Sequence, residues 1–397
     1  MRPTLTFDNQ CAFCRIWVEF WRSLTGDRVE YVAAEAPIDA VRYTTSDSEY
    51  RGAGAVAHLL SGVSGYEWML RLYGIFPGLA EFLYRLVARR RNAAYWLTRA
   101  LWGERVERPT YYAATSIFSR VFAFLCLIAF ASFGMQVRGL IGSSGILPIS
   151  MYLRIATTQF GSSAVWRVPT IFWWAHSDFA LLSITWGGVA LAAIATIARA
   201  HSKWQKIIFA ILFVYYLSIV SAGQIFMSYQ WDLLLVETAF LAIFLRPALP
   251  RVWLFQWLLF RLMFESGMVK LLSHDPSWRN LTALSFHYET QPLPTVFAWY
   301  VRQAPLWFHQ ASTAMVFVIE LVLPFLIFGP RRMKQVAAFG FIALQLLILI
   351  TGNYTYFNLL AIALCLFLFD DAYFAGRKKP IAVTPAIPNR FVSAALV

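Results

Sequence analysis

The chain has 397 residues, of which 59% are hydrophobic and only 14% charged, and it carries a formal net charge of +13. Ordinary soluble domains are about half apolar and about a quarter charged, so this composition excludes a purely soluble globular enzyme. No basic stripe with interleaved aromatic residues stands apart from the apolar runs, which argues against a nucleic-acid partner. The positive charge instead favours basic links at an anionic lipid surface.

Charged residues are concentrated near the start of the chain, whereas long apolar runs with short polar links make up the remainder. This uneven distribution predicts three parts, a soluble domain at residues 1–110, a transmembrane domain at 111–376 and a tail at 377–397. The segment before Asp8 has no long apolar core and is not typical of a secretory signal peptide, so we expect the first domain to stay in the compartment where it is made.

The first domain is predicted to alternate strands and helices. Strands are predicted at residues 4–7, 29–33 and 40–44, and helices at 14–24 and 52–60. A basic amphipathic helix is predicted at residues 81–100 because apolar residues recur at helical spacing between several arginines. Such a helix suits a cytoplasmic membrane surface or an ordinary solvated face.

The apolar runs after residue 112 approach the roughly 20 residues that a helix needs to cross a bilayer. The sequence therefore predicts a polytopic α-helical membrane protein. About eight spans are expected, at residues 113–134, 178–197, 207–223, 233–245, 252–272, 306–328, 336–352 and 358–369.

Basic residues alternate between the predicted links, and they predict the orientation of the chain in the membrane. The richer links contain Arg199, Lys203 and Lys206, then Arg246 and Arg251, then Arg331, Arg332 and Lys334, then Arg377, Lys378 and Lys379. By the positive-inside rule these links face the cytoplasm, together with the N-terminal domain and the C-terminal tail. An integral protein of a bacterial inner membrane or of the endoplasmic reticulum fits this pattern.

A Cys-x-x-Cys pair, Cys11 and Cys14, lies where the first strand meets the first helix. The amide donors and partial positive charge of a helix N-terminus stabilise a thiolate, so Cys11 is predicted to attack and Cys14 to resolve the mixed disulfide. A purely structural pair remains an alternative. A zinc site is less well supported, because no second pair and no paired histidines follow in the domain.

The stretches FDNQCAFC and FLYRLVARRR resemble the thiol-disulfide oxidoreductase family named for its Asp-Cys-Cys motif, over residues 1–105. The resemblance implies a thioredoxin-like fold and a thiol redox partner. It also implies that Cys11 is the nucleophile, that Cys14 is the resolving thiol and that Asp8 tunes protonation beside them. The cis-proline that accompanies the thiols in such folds has one candidate here, Pro37, which precedes the strand where it is expected.

Polar residues inside or at the edge of a membrane are costly and are candidates for function. Most of them fall in links or span ends predicted to face outward, which suggests one outward-facing polar site. The candidates are Asp232, Glu237, Lys270, His274, Asp275, His287, Tyr288, Glu289, Gln291 and Asn353. Packing and helix capping are the competing explanation for the same residues.

Several long stretches of the membrane region resemble the lipase maturation factor family, over residues 115–375. They are IGSSGILP, QWDLLLVETAFLAIF, TGNYTYFNLL and WLLFRLMFESGMVKLLSHDPSWRNLTALSFHYETQPLP. The resemblance implies a membrane-bound accessory factor for protein folding and maturation, because animal members are chaperones of the endoplasmic reticulum that help secreted lipases fold. The implied partners are the lipid bilayer and client proteins such as secreted lipases.

The stretch ESGMVKLLSHDPSW is also similar to the membrane core of vitamin K-dependent carboxylase-like proteins. That similarity implies an alternative function, a membrane enzyme that acts on a lipid or quinone-like cofactor with Lys270 as a base. The competing explanation is a lysine that reaches the interface or pairs with Glu265 or Asp275. A transporter or a purely structural anchor is a third alternative that lacks positive support, because no repeat halves of the kind many transporters carry are evident.

Overall fold

The computed structural model describes residues 2–103 and 106–375. The predicted C-terminal tail, residues 377–397, lies outside this part of the chain. The described residues form a small N-terminal domain with a sheet, followed by a large helical region. Each has its own buried apolar core, one around Leu5 and Trp21 and the other around Phe118, Phe122 and Phe255.

The N-terminal sheet has four strands in the order β2-β1-β3-β4, with β1 parallel to β2 and antiparallel to β3, and with β3 antiparallel to β4. Alternation in the first strand buries Leu5 and Phe7 while Thr4 and Thr6 are partly exposed, as period-two side chains require. The strands are β1 Thr4–Phe7, β2 Glu30–Ala33, β3 Arg42–Thr44 and β4 Glu49–Arg51. The last of these was not predicted.

Five helices complete this domain: α1 Ala12–Thr25, α2 Gly52–Ser61, α3 Glu67–Ile75, α4 Pro77–Arg89 and α5 Arg91–Trp102. The prediction of a single helix at residues 81–100 is therefore wrong. The helix is interrupted at Arg90, whose φ of −118° and ψ of 40° are not helical. The next residue, Arg91, binds residues of the thiol loop and of the 38–39 loop, and these contacts fix the direction of the second helix.

The helical region follows the predicted spans closely but adds helices inside the predicted links. Its α-helices are α6 Tyr112–Gly134, α7 Val137–Ile141, α8 Ile149–Phe160, α9 Ala164–Arg167, α10 Asp178–Ile197, α11 Lys203–Ala222, α12 Gln230–Ile243, α13 Leu249–Leu272, α14 Pro276–Arg279, α15 Ala283–Thr290, α16 Val296–Arg302, α17 Leu306–Phe317, α18 Arg331–Thr351, α19 Phe357–Cys365 and α20 Asp371–Phe374. Short 3-10 turns lie at Gly26–Arg28, Gly161–Ser163, Ile171–Trp173, Gln224–Met227 and Leu366–Leu368.

Within the described residues, five helices are long and apolar enough to cross a membrane. They are Tyr112–Gly134, Asp178–Ile197, Lys203–Ala222, Leu306–Phe328 and Arg331–Thr351. The other three predicted spans are also helical, but α12 has 14 residues, the helix from Phe357 to Leu368 is short, and α13 contains Arg261, Glu265 and Lys270 in its 24 residues. The count of eight spans therefore remains a prediction.

The helix Leu306–Phe328 is irregular in its second half. A π-helical segment, Val318–Val322, follows α17 and leads into a 3-10 segment, Leu323–Phe328. Pro324 lacks the amide hydrogen that a regular α-helix would use. Isolated π segments are frequent at functional sites, and this one contains Glu320, a buried carboxylate.

Two aspartates join the last helices of the described chain to the first membrane helix and to α18. Asp371 accepts hydrogen bonds from the backbone amides of Tyr112 and Ala113 at 3.0 and 2.8 Å, so it caps the start of α6. The neighbouring Asp370 receives a hydrogen bond from Arg331 at 2.6 Å. A carboxylate at a helix N-terminus is stabilised by the unpaired amide groups and by the helix dipole.

Candidate functional sites

The thiol pair lies at the N-terminus of α1, as the sequence predicted. Cys11 is the N-cap residue, and its Sγ accepts a hydrogen bond from the amide of Cys14 at 3.3 Å. Both thiols are free and partly buried. The helix begins here because the extended backbone of Cys11 ends the loop after β1, and its sulfur takes the capping position usually held by an oxygen.

The two thiols differ in their surroundings. Burial, the contact with the Cys11 sulfur and the charge of Cys11 together raise the pKa of Cys14 from 9.0 to about 12. Cys14 is therefore protonated at neutral pH. A resolving thiol can remain protonated until the first cysteine has reacted, because the mixed disulfide removes the charge on Cys11 that opposes ionisation.

Asp8 lies beside the thiol loop and is held in place by Arg91. One carboxylate oxygen of Asp8 accepts from the amide of Gln10 at 2.9 Å, and the other accepts from Arg91 Nη1 at 3.2 Å. Arg91 also donates to the carbonyl oxygens of Ile38 and Asp39. Sequence reasoning missed this role of Arg91, although the residue ends the stretch FLYRLVARRR.

Pro37, the one candidate for the cis-proline of thioredoxin-like folds, does not take that conformation. The described part of the chain contains no cis peptide bond, so Pro37 is trans. Its neighbours Ile38 and Asp39 instead contribute backbone oxygens to Arg91, which connects the loop before β3 to the start of α5.

In the membrane region, Lys270 forms an ion pair that the sequence did not predict. Its Nζ donates to both carboxylate oxygens of Glu320 at 2.7 and 2.8 Å and to the carbonyl oxygen of Ser266 at 3.2 Å. The ring of Trp278 covers the ammonium group at 5.4 Å. Glu320, rather than Glu265 or Asp275, is the partner, and it lies in the π-helical segment that packs against α13.

Three further side chains form a series of ring contacts that begins near this ion pair: His287, Tyr288 and His309. The charge of Lys270 adds to burial in lowering the pKa of His287 below 6.5, so His287 is neutral at pH 7. Tyr288 lies between His287 and His309, at ring distances of 5.9 and 5.8 Å, and burial raises its pKa. His309 is 1% exposed, and neither ring nitrogen has a hydrogen-bond partner among the described residues.

Asp232 belongs to a second buried polar group. One of its oxygens accepts from the hydroxyls of Tyr216 and Tyr356 at 2.7 and 2.9 Å, and these two hydroxyls lie 2.7 Å apart. The other oxygen has no partner among the described residues. This group connects α11 and α12 to the turn before α19, and the two tyrosines were not predicted to take part.

The remaining candidates have separate local partners. Glu237 pairs with Arg261 at 2.7 Å, Glu289 with Arg302 at 2.8 Å, and Gln291 donates to the carbonyl oxygen of Thr351 at 2.8 Å. His274 contacts Arg279 at 3.2 Å, Asp275 caps α14, and Asn353 accepts from the amide of Thr355 at 3.0 Å.

One outward-facing polar site therefore remains a prediction. Lys270 binds Glu320 and lies near His287, and ring contacts connect His287 to Tyr288 and Tyr288 to His309. Among the described residues, no hydrogen bond or ion pair joins this set to the Asp232 group, and His274, Asp275 and Glu289 have capping or surface contacts that are sufficient to explain them. A role for any of them in function stays a prediction.

The membrane region is similar to proteins of known family. The model of the lipase maturation factor transmembrane domain matches residues 113–376. Lipase maturation factor 2 of Homo sapiens is 40% identical over 302 residues, which cover 68% of this chain and 42% of that protein. Lipase maturation factor 1 of Bos taurus is 35% identical over 320 residues, which cover 76% of this chain and 54% of that protein.

The chain thus spans about half the length of the curated relatives it matches. No solved structure matches it. The family match covers the apolar helices that are long enough to cross a bilayer, so the protein is an integral membrane protein. Because the family model accounts for most of the chain, this protein belongs to the lipase maturation factor family.

Proposed function

We propose that the protein is a membrane-bound accessory factor for the folding and maturation of secreted proteins, with lipases as a client class. The match of residues 113–376 to the lipase maturation factor transmembrane domain carries this proposal. The relatives are named for lipase maturation, and the shared part of the chain is the part embedded in the membrane. The N-terminal domain would add thiol-disulfide exchange to this role.

The thiol pair would act through Cys11 as nucleophile and Cys14 as resolving thiol. The Cys11 thiolate attacks a disulfide of a redox partner, which forms a mixed disulfide and releases one partner thiol. Cys14 then attacks the Cys11 sulfur, which leaves a Cys11–Cys14 disulfide and a second partner thiol; the two protons of the pair end on the partner. The capping position of Cys11 and the raised pKa of Cys14 support these roles.

We propose that the N-terminal domain and the tail face the cytoplasm, as the basic links predict. A thiol redox partner of the pair would then be cytoplasmic, whereas secreted clients would meet the outward face. The sheet order β2-β1-β3-β4, with the thiols directly after β1, supports a thioredoxin-like assignment for this domain.

The alternative, a membrane enzyme acting on a lipid or quinone-like cofactor, is not favoured. A lysine acts as a base only when it is neutral, and both oxygens of Glu320 bind Lys270 as an ammonium ion. The family match supports maturation and not this chemistry.

Thiol exchange can be tested with the purified full-length protein and a fluorescent glutathione disulfide. We expect Cys11→Ser to abolish exchange and Cys14→Ser to trap a mixed disulfide on Cys11, detectable by peptide mass spectrometry. Cys126→Ala is the matched control, because Cys126 is 2% exposed and far along the chain. Undiminished exchange in both variants of the pair would eliminate the thiol assignment while leaving the maturation role standing.

The maturation role can be tested by co-expressing a secreted lipase with the full chain in cells that lack its relatives. We expect the lipase activity in the medium, per amount of lipase synthesised, to rise when the wild-type chain is present. The Cys11→Ser variant separates maturation from thiol exchange. If lipase activity still rises with this variant, the membrane region is responsible for maturation. No rise with the wild-type chain would refute lipases as a client class.

Maleimide labelling of Cys11 in intact and lysed cells tests the proposed orientation of the N-terminal domain.

A further inference from the structure

The N-terminal domain contains a cavity of about 490 Å³ whose wall includes Cys14 of the thiol pair. Aromatic and aliphatic side chains from α1, α2, α3 and α4 line it, among them Trp17, Trp21, Met69, Leu72, Phe76 and Leu83. Native interiors are close-packed, with few voids larger than a water molecule. A cavity this large with an apolar lining is therefore typical of a ligand site.

Most polar groups in the wall are already satisfied within the protein, although Trp17 Nε1 is buried with no hydrogen-bond partner among the described residues. Arg91 pairs with Asp8, the hydroxyl of Tyr73 donates to Glu81 at 3.3 Å, and the hydroxyl of Tyr84 accepts from the amide of Val41 at 3.0 Å. A polar ligand would have to break these bonds and leave buried groups unpaired, which is costly. The wall therefore selects an apolar chain.

The mouth of the cavity is apolar as well. Leu72, Phe76, Leu79 and Leu83 line the cavity and are yet 48–56% exposed, so the apolar interior continues onto the surface of α3 and α4. Ile75 and Phe82, which do not line the cavity, extend this surface. An exposed apolar patch of this kind in a water-soluble domain marks an interaction surface.

The position of the domain makes a lipid bilayer the nearest apolar phase. The chain between α5 and the first membrane helix is residues 103–111, which reach about 30 Å when fully extended. Gly103, at the end of α5, lies against Arg332 in the first turn of α18. Exposed Arg85, Arg89 and Arg90 accompany the apolar surface of α4, the combination that binds anionic membranes.

We infer that the cavity holds the acyl chain of an anionic membrane lipid, which enters between α3 and α4 and ends beside Cys14. This role goes beyond the proposed function and does not depend on thiol exchange. The occupied cavity would shield the Cys14 sulfur from water-soluble reagents, since Cys14 forms part of the wall.

Alkylation of Cys14 by maleimides of different chain length tests the cavity. The full-length Cys11→Ser protein in detergent is treated with N-ethylmaleimide or N-octylmaleimide, and modification of Cys14 is followed by peptide mass spectrometry. Both reagents react with the same thiol at the same pH, so the ratio of their two rates measures the effect of the octyl chain alone. We expect the octyl reagent to react about tenfold faster, because its chain is buried in the cavity.

Cavity-filling variants separate this effect from partition of the reagent into detergent. Ala80→Trp fills the cavity from α4 and Val56→Phe fills it from α2, and both should bring the two rates together. Ala93→Trp is the matched control on the exposed side of α5 and should keep the wild-type ratio. A ratio that is the same in all these proteins would overturn the inference.

Lipid vesicles test whether the acyl chain in the cavity comes from a membrane lipid. In dioleoylphosphatidylglycerol vesicles we expect Cys14 to react with N-ethylmaleimide about tenfold more slowly than in detergent, because the lipid chain covers the sulfur. Leu79→Asp at the mouth should remove this protection, whereas Leu97→Asp on α5 should retain it. Equal reactivity in vesicles and detergent would refute a membrane lipid as the occupant.

Discussion

The Nζ of Lys270 lies 2.8 and 2.7 Å from the two carboxylate oxygens of Glu320, and so joins the C-terminal end of α13 to the π-helical segment of the neighbouring helix. The side chains are only 22% and 6% exposed. Removing one partner of such a pair leaves a buried charge without compensation, whereas removing both leaves an apolar contact.

We therefore expect Lys270→Met and Glu320→Gln each to lower the free energy of unfolding by about 3 kcal/mol, and the double variant Lys270→Met with Glu320→Leu to regain most of it. Thermal unfolding in detergent measures this change. Arg261→Met is the control, since Arg261 and Glu237 are 38% and 40% exposed and their pair should contribute less than about 1 kcal/mol. Equal losses at the two pairs would contradict the argument.

Arg91 connects α5 to the thiol loop and to the loop at residues 38–39. Because its hydrogen bonds are charge-assisted and largely buried, Arg91→Ala should destabilise the N-terminal domain by about 2 kcal/mol. Hydrogen exchange of the amides at residues 8–14 and 37–41 should accelerate. Arg89→Ala, on the exposed end of α4, should leave both segments protected. Unchanged exchange in the Arg91 variant would show that packing alone positions the loops.

The raised pKa of Cys14 predicts an unusual pH profile for alkylation. Because the thiol ionises near pH 12, its reaction with iodoacetamide should keep accelerating above pH 9, where an ordinary thiol reaches a plateau. Cys11→Ser removes the contact and the charge that help to raise the pKa, so the rate at pH 8.5 should increase. Peptide mass spectrometry at Cys14 measures both. A plateau near pH 9 in the wild type would disprove the shift.

His287 predicts a loss of stability in mild acid. Its pKa in the folded protein is lowered, mainly by burial and also by Lys270, so the folded state binds fewer protons than the unfolded chain below pH 6.5. This group therefore reduces the free energy of unfolding as the pH falls from 6.5 towards its folded pKa. His287→Gln should flatten the dependence of Tm on pH between 7 and 5, and His176→Gln, at an exposed position, should not.

The N-terminal elements were largely predictable because their signals are local. Alternation at Leu5 and Phe7 and the cysteine pair at a helix start are read from neighbouring residues, and both are found in the structure. The hairpin of β3 with β4 was missed, since each strand has only three residues and is specified by pairing with the other. The break at Arg90 was missed because its neighbour Arg91 binds residues 38–39, about fifty positions earlier, and such contacts are not visible in the local sequence.

In the membrane region, too, local features were predictable and contacts between distant residues were not. Apolar runs located the five described helices that are long enough to cross a membrane, and the cost of polar residues in this region identified Lys270 and Asp232 as unusual. Their partners could not be inferred, because Glu320 lies 50 residues from Lys270, and Tyr356 lies 124 residues from Asp232. Both partners meet their targets only through packing of separate helices, for which periodicity gives no information.

The cap that Asp371 places on the first membrane helix has a consequence for synthesis. The amides of Tyr112 and Ala113 emerge early from the ribosome, but their acceptor is made about 260 residues later. This cap can therefore form only after the helices between Ala113 and Asp371 have been made. A nascent chain halted before Asp371 would leave the amides of Tyr112 and Ala113 without their acceptor, and a quality-control factor could recognise this uncapped helix as unfinished.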